Sequence, residues 1–278
     1  MAGIKNTSIQ VRIGIMILIL VIVVAVFCPI LAPYDPYEMG LPLRKPSPEH
    51  ILGTNDIGQD IFSELLFGTR VSLLIGVISA AVVTIVGTAL GIIAGYMGGK
   101  ADRFINQLIN VVMSLPSLPL TIVLVAFLNA NIWNIVLTIC ITSWAPTARI
   151  IRSRVQQIRE LPFVRSEQTM GAGSLYIMYK HIMPNIFDVV FIQGVLAVGD
   201  AMLTEASLSF LGLGVIGHKS WGGILHYAFF HKGIINGYYW WFLPPIICIC
   251  LSVLGFMLLS YHRNDGNPNA KKLKAVSK

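Results

Sequence analysis

The chain has 278 residues, 55% of them hydrophobic and only 12% charged, with 20 Lys and Arg against 13 Asp and Glu and a formal net charge of +7. At a mean hydropathy of +0.73, a water-soluble domain would expose apolar patches well beyond the roughly few hundred Å² that soluble surfaces carry, so that class is excluded. The basic balance calls for no nucleic-acid partner, because the Lys and Arg border apolar runs and can face membrane lipid.

A helix crosses the ~30 Å hydrocarbon core with about 20 apolar residues, and six stretches reach or approach that length. The first, about 13 to 32, contains "IGIMILILVIVVAVF", which lacks the alternation of a membrane β-barrel strand. Lys5 and Arg12 precede it as they would a secretory signal. Its apolar core exceeds the usual h-region of about 7 to 15 residues and no small-x-small cleavage site follows, so it reads as a retained signal-anchor. The Pro- and Gly-rich segment 33 to 70 reads as a short ordered cap, and residues 1–70 form a first unit. Further spans fall at about 71 to 97, 105 to 128, 132 to 150, 186 to 211 and 240 to 261, where Pro116 and Pro119 in "SLPSLPL" can break the third. Residues 71–263 make the transmembrane core and 264–278 a poorly ordered basic tail. The sequence predicts an all-α polytopic membrane protein with six transmembrane helices.

With the N-terminus cytoplasmic, only Arg44, Lys45, Arg70, Lys219 and Lys232 of the 20 basic residues lie on the outer side, the bias the positive-inside rule describes. Both termini are then cytoplasmic in a multi-pass membrane protein. The one long inner loop, about 151 to 185, ends in "GAGSLYIMYKHIMPN". It reads as two short helices bent at Gly171 and Gly173, where a missing side chain permits positive φ or a close backbone approach, and stopped by Pro184. Such a unit serves either as a docking knob or as an amphipathic connector.

Ionisable residues inside spans are costly. Asp188, Asp200 and Glu205 lie along the fifth span. Asp200, the deepest, either lines a translocation path, pairs with another subunit, sits in a helix-packing hydrogen bond, or is a protonated carboxyl in a crevice. Glu205 can snorkel toward the outer surface. His218, His226 and His231 suit nickel or zinc but lack tight ligand spacing, and the surrounding "YAFFHKGIINGYYWWF" resembles an interfacial aromatic belt, so solvated interface histidines are expected. Cys28, Cys140, Cys248 and Cys250 fall within spans as small apolar groups, with no disulfide or metal site expected.

Catalytic motifs do not form. Gly98-Gly99-Lys100-Ala101 lacks the upstream glycine and hydroxyl of a phosphate-binding loop, no His-Glu-x-x-His occurs, and "GAGSLYIM" is not a Gly-x-Ser-x-Gly elbow. An ion-gradient-driven secondary transporter is the alternative from another class, but no convincing internal repeat supports it.

Four stretches carry a resemblance: "RSEQTMGAGSLYIMYKHIMPN", "LAPYDP", "HILGTNDIGQDIFSELLFGTRVSLLIG", and "LTEASLSFLGLG" followed by "SWGGIL". In order and spacing, from about residue 29 to 262, the chain resembles the permeases of binding-protein-dependent ABC importers. More narrowly it resembles the C-type, second transmembrane subunit of the dipeptide/oligopeptide/nickel branch. The resemblance implies the type I importer permease fold and an EAA-like coupling loop over Arg165, Ser166, Glu167, Gly171, Ala172, Gly173, His181 and Pro184. It also implies a path or gate role for Glu205 beside Asp200. Implied partners are a homologous B-type permease subunit, two cytoplasmic ABC ATPases that hold ATP and Mg, and an extracytoplasmic substrate-binding protein. This chain itself would bind no cofactor. Peptides or, alternatively, nickel or metal chelates would be carried. Two departures stand out: the family's Glu-Ala-Ala positions hold Arg165, Ser166 and Glu167, displacing the carboxylate by two residues, and Gln59 and Glu64 stand where relatives tend to carry arginine.

Overall fold

A computed structural model describes residues 9–265 except 130 and 216, with side chains described to residue 260. Lys5 and the basic tail beyond 265 lie outside the described residues. All elements are helical: α1 (Ile9–Leu31), α2 (Ile61–Met97), α3 (Gly99–Ser114), α4 (Ser117–Leu128), α5 (Ile132–Arg159), α6 (Pro162–Thr169), α7 (Ser174–Ile177), α8 (Met183–Leu208), α9 (Trp221–Phe230) and α10 (Tyr239–Asp265). Five helical stretches are long and apolar enough to cross a membrane, or six when the bent pair α3–α4 counts as one.

α1 buries one stripe, Val11, Gly14, Leu18, Ala25 and Cys28, and leaves the rest of its apolar surface exposed, as a lipid-facing helix does. Its stripe meets α10, where Gly14 faces the Gly255 carbonyl and Gly255 faces Ile17 and Leu18. Small residues let the two backbones approach closely, which compensates for the missing hydrophobic drive between helices in lipid. The same device joins α2 to α5. Gly87, Gly91 and Gly95, spaced by four, stack against Thr147, Ile151 and Val155, with a Cβ at each position falling 2.7 to 2.9 Å from the partner side chain.

α2 starts at Ile61, ten residues before the expected span, because Asp60 caps it by accepting from the Ser63 amide. At 37 residues it extends about 55 Å, so it overshoots the hydrocarbon core, and the expected unit boundary at 70/71 falls inside it. Between α3 and α4 the chain bends by 88°. Leu115, preceding Pro116, is held extended (φ −87°, ψ 136°) by the proline ring, whereas Pro119 sits harmlessly in the first turn of α4.

The greatest departure from expectation concerns Pro184, which does not stop a helix. From Ser174 to Leu213 runs one helical track of 40 residues, kinked near its end at Gly212, whose φ of +84° is not helical. A π-helical turn over Met178–Ile182 absorbs the proline, with the Met183 amide donating to the Met178 carbonyl, and Asn185 Nδ2 donates to the His181 carbonyl at 2.6 Å. A second π turn, Ser209–Leu213, closes the other end.

Segment 32–60 and α9 lie at the α2 start, here termed the cap end; α6, α7 and the first π turn lie at the opposite, loop end. The cap end is centred on Ile61, Leu65, Met202, Trp221 and Trp241, and the loop end on Tyr96, Val155, Val164, Ile177 and Ile186. Trp241, expected in an interfacial belt, is fully buried, whereas Tyr227, Phe229, Phe230 and Tyr239 are exposed as expected.

Candidate functional site

At the loop end, α6 and α7 flank a bend at Gly171, whose φ is +81° with nothing within 4 Å of a would-be Cβ. The glycine is therefore needed for its left-handed backbone and not for a close approach. Gly173 has neither requirement: its φ is −65° and its surroundings are open. The bend is closed by the amides of Met170, Gly171 and Ala172, donating to the carbonyls of Ser166, Gln168 and Glu167. Glu167, the displaced carboxylate, reaches across the bend to within 3.4 Å of His181 Nε2, without the alignment of a hydrogen bond. His181 also packs edge-on to Tyr176 and tilted against Phe163. Arg165 hydrogen-bonds Glu160, an exposed pair that holds the Glu160 carboxyl below the usual carboxylate range.

The bend rests on a buried floor: Val164 of α6 and Ile177 of α7 pack with Tyr96 of α2 and Ile151, Val155 and Ile158 of α5. Nearby, Asp102 takes two bonds from Arg152, 2.5 Å from Nε and 2.8 Å from Nη2, fastening the start of α3 to α5. Above this fixed floor Met170, Leu175 and Tyr179 protrude with about 80% of their surface exposed. Three large apolar side chains on a rigid bend form a knob suited to a partner's groove.

The middle of the same helical track forms a wall of a pocket of about 590 Å³ between α4, α5 and α8, lined by Ser117, Thr121, Ser143, Gln193, Asp200, Thr204 and Ser207 among others. Gln193, Asp200, Thr204 and Ser207 repeat at helical spacing on one face of α8.

Asp200 and Glu205, paired by the sequence as path or gate residues, are separated by the structure. Glu205 does not line this pocket and does not snorkel. It is fully buried and accepts from Ser72 Oγ (2.9 Å) on α2 and Ser209 Oγ (2.7 Å), while Ser72 Oγ lies 3.4 Å from the Trp221 amide. The carboxylate thus knots α2, α8 and α9 together.

The cap end holds a second knot. Asn55 Oδ1 accepts the Ile57 and Gln59 amides, and its Nδ2 donates to Gln59 Oε1 and Glu64 Oε1. Lys219 Nζ donates to the same two oxygens, at 2.6 Å each, and lies over the Tyr37 ring. Gln59 and Glu64, the two departures, are thereby explained together: both accept from one lysine some 155 residues away in sequence. Sequence reading missed Lys219 as their shared partner. Of the three outer histidines, His218 is exposed as expected, whereas His226 Nδ1 donates to the Phe210 carbonyl (2.8 Å) and His231 contacts the Tyr227 carbonyl (3.0 Å) and Asp56 (3.2 Å). Among the described residues no three His, Cys, Asp or Glu converge on a common point.

One continuous helix therefore carries an exposed knob at one end, a polar pocket wall at its middle and a buried knot near the other end, an arrangement suited to moving a solute across a bilayer. The class is a membrane transport permease. The chain belongs to the binding-protein-dependent transport system inner membrane components, whose family model matches residues 87–264, and residues 11–48 match the N-terminal transmembrane domain of oligopeptide transport permease C. The oligopeptide transport system permease protein OppC of Bacillus subtilis (strain 168) is 33% identical over 264 residues, 94% of this chain and 86% of that protein. The dipeptide permease DppC of Alkalihalophilus pseudofirmus is 34% identical, covering 89% and 81%. The glutathione permease GsiD of Pectobacterium atrosepticum is 34% identical, covering 85% and 79%. The fold matches a chain of the MetNI methionine ABC transporter in inward-facing conformations at TM-score 0.53 and 15% identity, over 70% of this chain and 94% of that one.

Proposed function

We propose that the chain forms half of the channel of a peptide importer, with a homologous second permease subunit completing the pathway. Two cytoplasmic ATPases, holding ATP and Mg, grip the knob around Gly171, and a substrate-binding protein delivers peptide at the cap end, which faces outward. Both termini lie in the cytoplasm. The observation that carries this reading is the single helical track Ser174–Leu213. An ATPase moving the knob moves the Asp200-bearing pocket wall with it, because no flexible joint lies between them. Arg165, Glu167, His181 and the bend serve to keep the knob rigid, and Pro184 with its π turn keeps the track unbroken. The peptide names of the relatives favour peptides over nickel or metal chelates as cargo.

Replacing Gly171 with Val tests this. A β-branched residue at φ +81° is strained by about 1 kcal/mol or more, and the open surroundings mean that only the bend is disturbed. Copurification of the ATPases and ATP-driven uptake are expected to fall while membrane insertion persists. Normal copurification with Gly171→Val would remove the docking claim.

A further inference from the structure

Asp200 is the one ionisable residue lining the pocket between α4, α5 and α8. No hydrogen bond or ion pair reaches its carboxylate among the described residues. That is unlike Glu205, five residues on, whose oxygens are occupied by Ser72 and Ser209. An intramembrane carboxylate left open is expensive and is retained where it meets water, a partner or a passing solute.

The hydroxyls around it point to the same chemistry. Thr204 Oγ1 donates to the Asp200 carbonyl (2.8 Å), Ser207 Oγ to the Leu203 carbonyl (2.7 Å) and Thr121 Oγ1 to the Leu118 carbonyl (2.8 Å). A hydroxyl has one proton to give. With those protons committed to their own helices, these groups offer only lone pairs to the pocket. Beside the Asp200 carboxyl group, Thr204 and Ser207 thus present acceptors to the pocket.

Resting on the importer reading, we infer that this pocket selects cargo by charge: Asp200 receives a protonated amine of the passing solute, an amino terminus or a basic side chain, and disfavours a carboxylate. Asp200 thus makes a charge-assisted contact in transit, and Thr204, one turn on, accepts a further N–H of the solute. A charge-assisted hydrogen bond of this kind changes relative rates by about tenfold or more.

The test uses the complete importer in proteoliposomes with ATP. Two probes, Ala-Lys-Ala and Ala-Glu-Ala, are each presented on saturating, preloaded binding protein. The readout is the ratio of initial uptake rates, so that the binding protein's own preference cancels between variant and wild type. Asp200→Asn is expected to lower the Lys-to-Glu peptide ratio about tenfold, and Asp200→Lys to lower it further; if the lysine variant does not assemble, the asparagine variant decides alone. An unchanged ratio overturns the inference. So does an equal fall for both peptides with loss of copurifying second permease subunit, since that assigns Asp200 to a cation on the partner. Wild-type importer that takes up neither peptide sinks the peptide-importer reading itself, and this inference with it.

Discussion

Replacing Gly91 with Ala is expected to destabilise the bundle. A methyl at Gly91 would lie 2.8 Å from the Ala148 carbonyl oxygen and from Ile151 Cβ, and 2.9 Å from Ile151 Cγ2. Comfortable separations are about 3.5 to 4.0 Å, so α5 must retreat by roughly 1 Å. Ala148 and Ile151 are fully buried and backed by other helices, which leaves little room to yield. Overpacking of this kind costs about 1–3 kcal/mol, while the gain in helix propensity from glycine to alanine offsets at most ~1 kcal/mol. The clash wins, by about 1 kcal/mol or somewhat more, which for a chain of 278 residues lowers the unfolding temperature by about 2 °C. Gly199→Ala supplies the opposite sign. It also lies within a helix, but its methyl would touch only Val253 Cγ1 at an ordinary 3.6 Å, so the propensity term remains and stability rises. The assay is thermal unfolding of detergent-purified protein in which Cys140, Cys248 and Cys250 are replaced by serine, with a thiol-reactive fluorophore that reports release of buried Cys28. If Gly91→Ala unfolds no earlier than wild type, or both variants shift in the same direction, the close-packed α2–α5 contact is misread.

Lys219→Met should destabilise by about 3 kcal/mol, because Glu64, whose side chain is 3% exposed, is left as an unpaired buried charge; Glu64→Gln in the same chain should restore most of the loss, and failure of that rescue in a double-mutant cycle would refute the pairing. For orientation, single cysteines on a background lacking native cysteines should react with an impermeant reagent at Lys45→Cys in intact cells, and at Ser174→Cys only after permeabilisation. Labelling of position 174 from outside would reverse the proposed sidedness.

The spans, the bent loop and the family were legible because each is written in local pattern: unbroken apolar runs, and a glycine bend with its neighbours. What stayed hidden depends on residues far apart in the chain. The second span read as starting at about 71, yet α2 starts at Ile61, where Asp60 caps it and Lys219 pairs with buried Glu64. Glu205 read as a gate or a snorkelling group because its partner Ser72 lies 133 positions away. Pro184 read as a stop, since a proline removes a backbone donor; the π turn that accommodates it is a tertiary solution with no signature in hydropathy. The Gly87, Gly91, Gly95 spacing is a different case, a pattern visible in the sequence whose significance appears only once α5 is seen against it.

The π turn at Met178–Ile182 has a consequence for how the chain tolerates change. Relative to a plain α-helix such a turn carries one additional residue, and each residue in an α-helix accounts for about 100° of rotation. The turn therefore sets the angular phase between the knob and everything beyond it. Deleting a single residue there would let the helix close into regular α geometry and swing the face of Gln193, Asp200 and Thr204 away from α4 and α5, with both ends still well folded. Loop length in this region is thus a timing mark between two working parts, and a coupling loop grafted from a relative would have to match it in phase as well as in sequence.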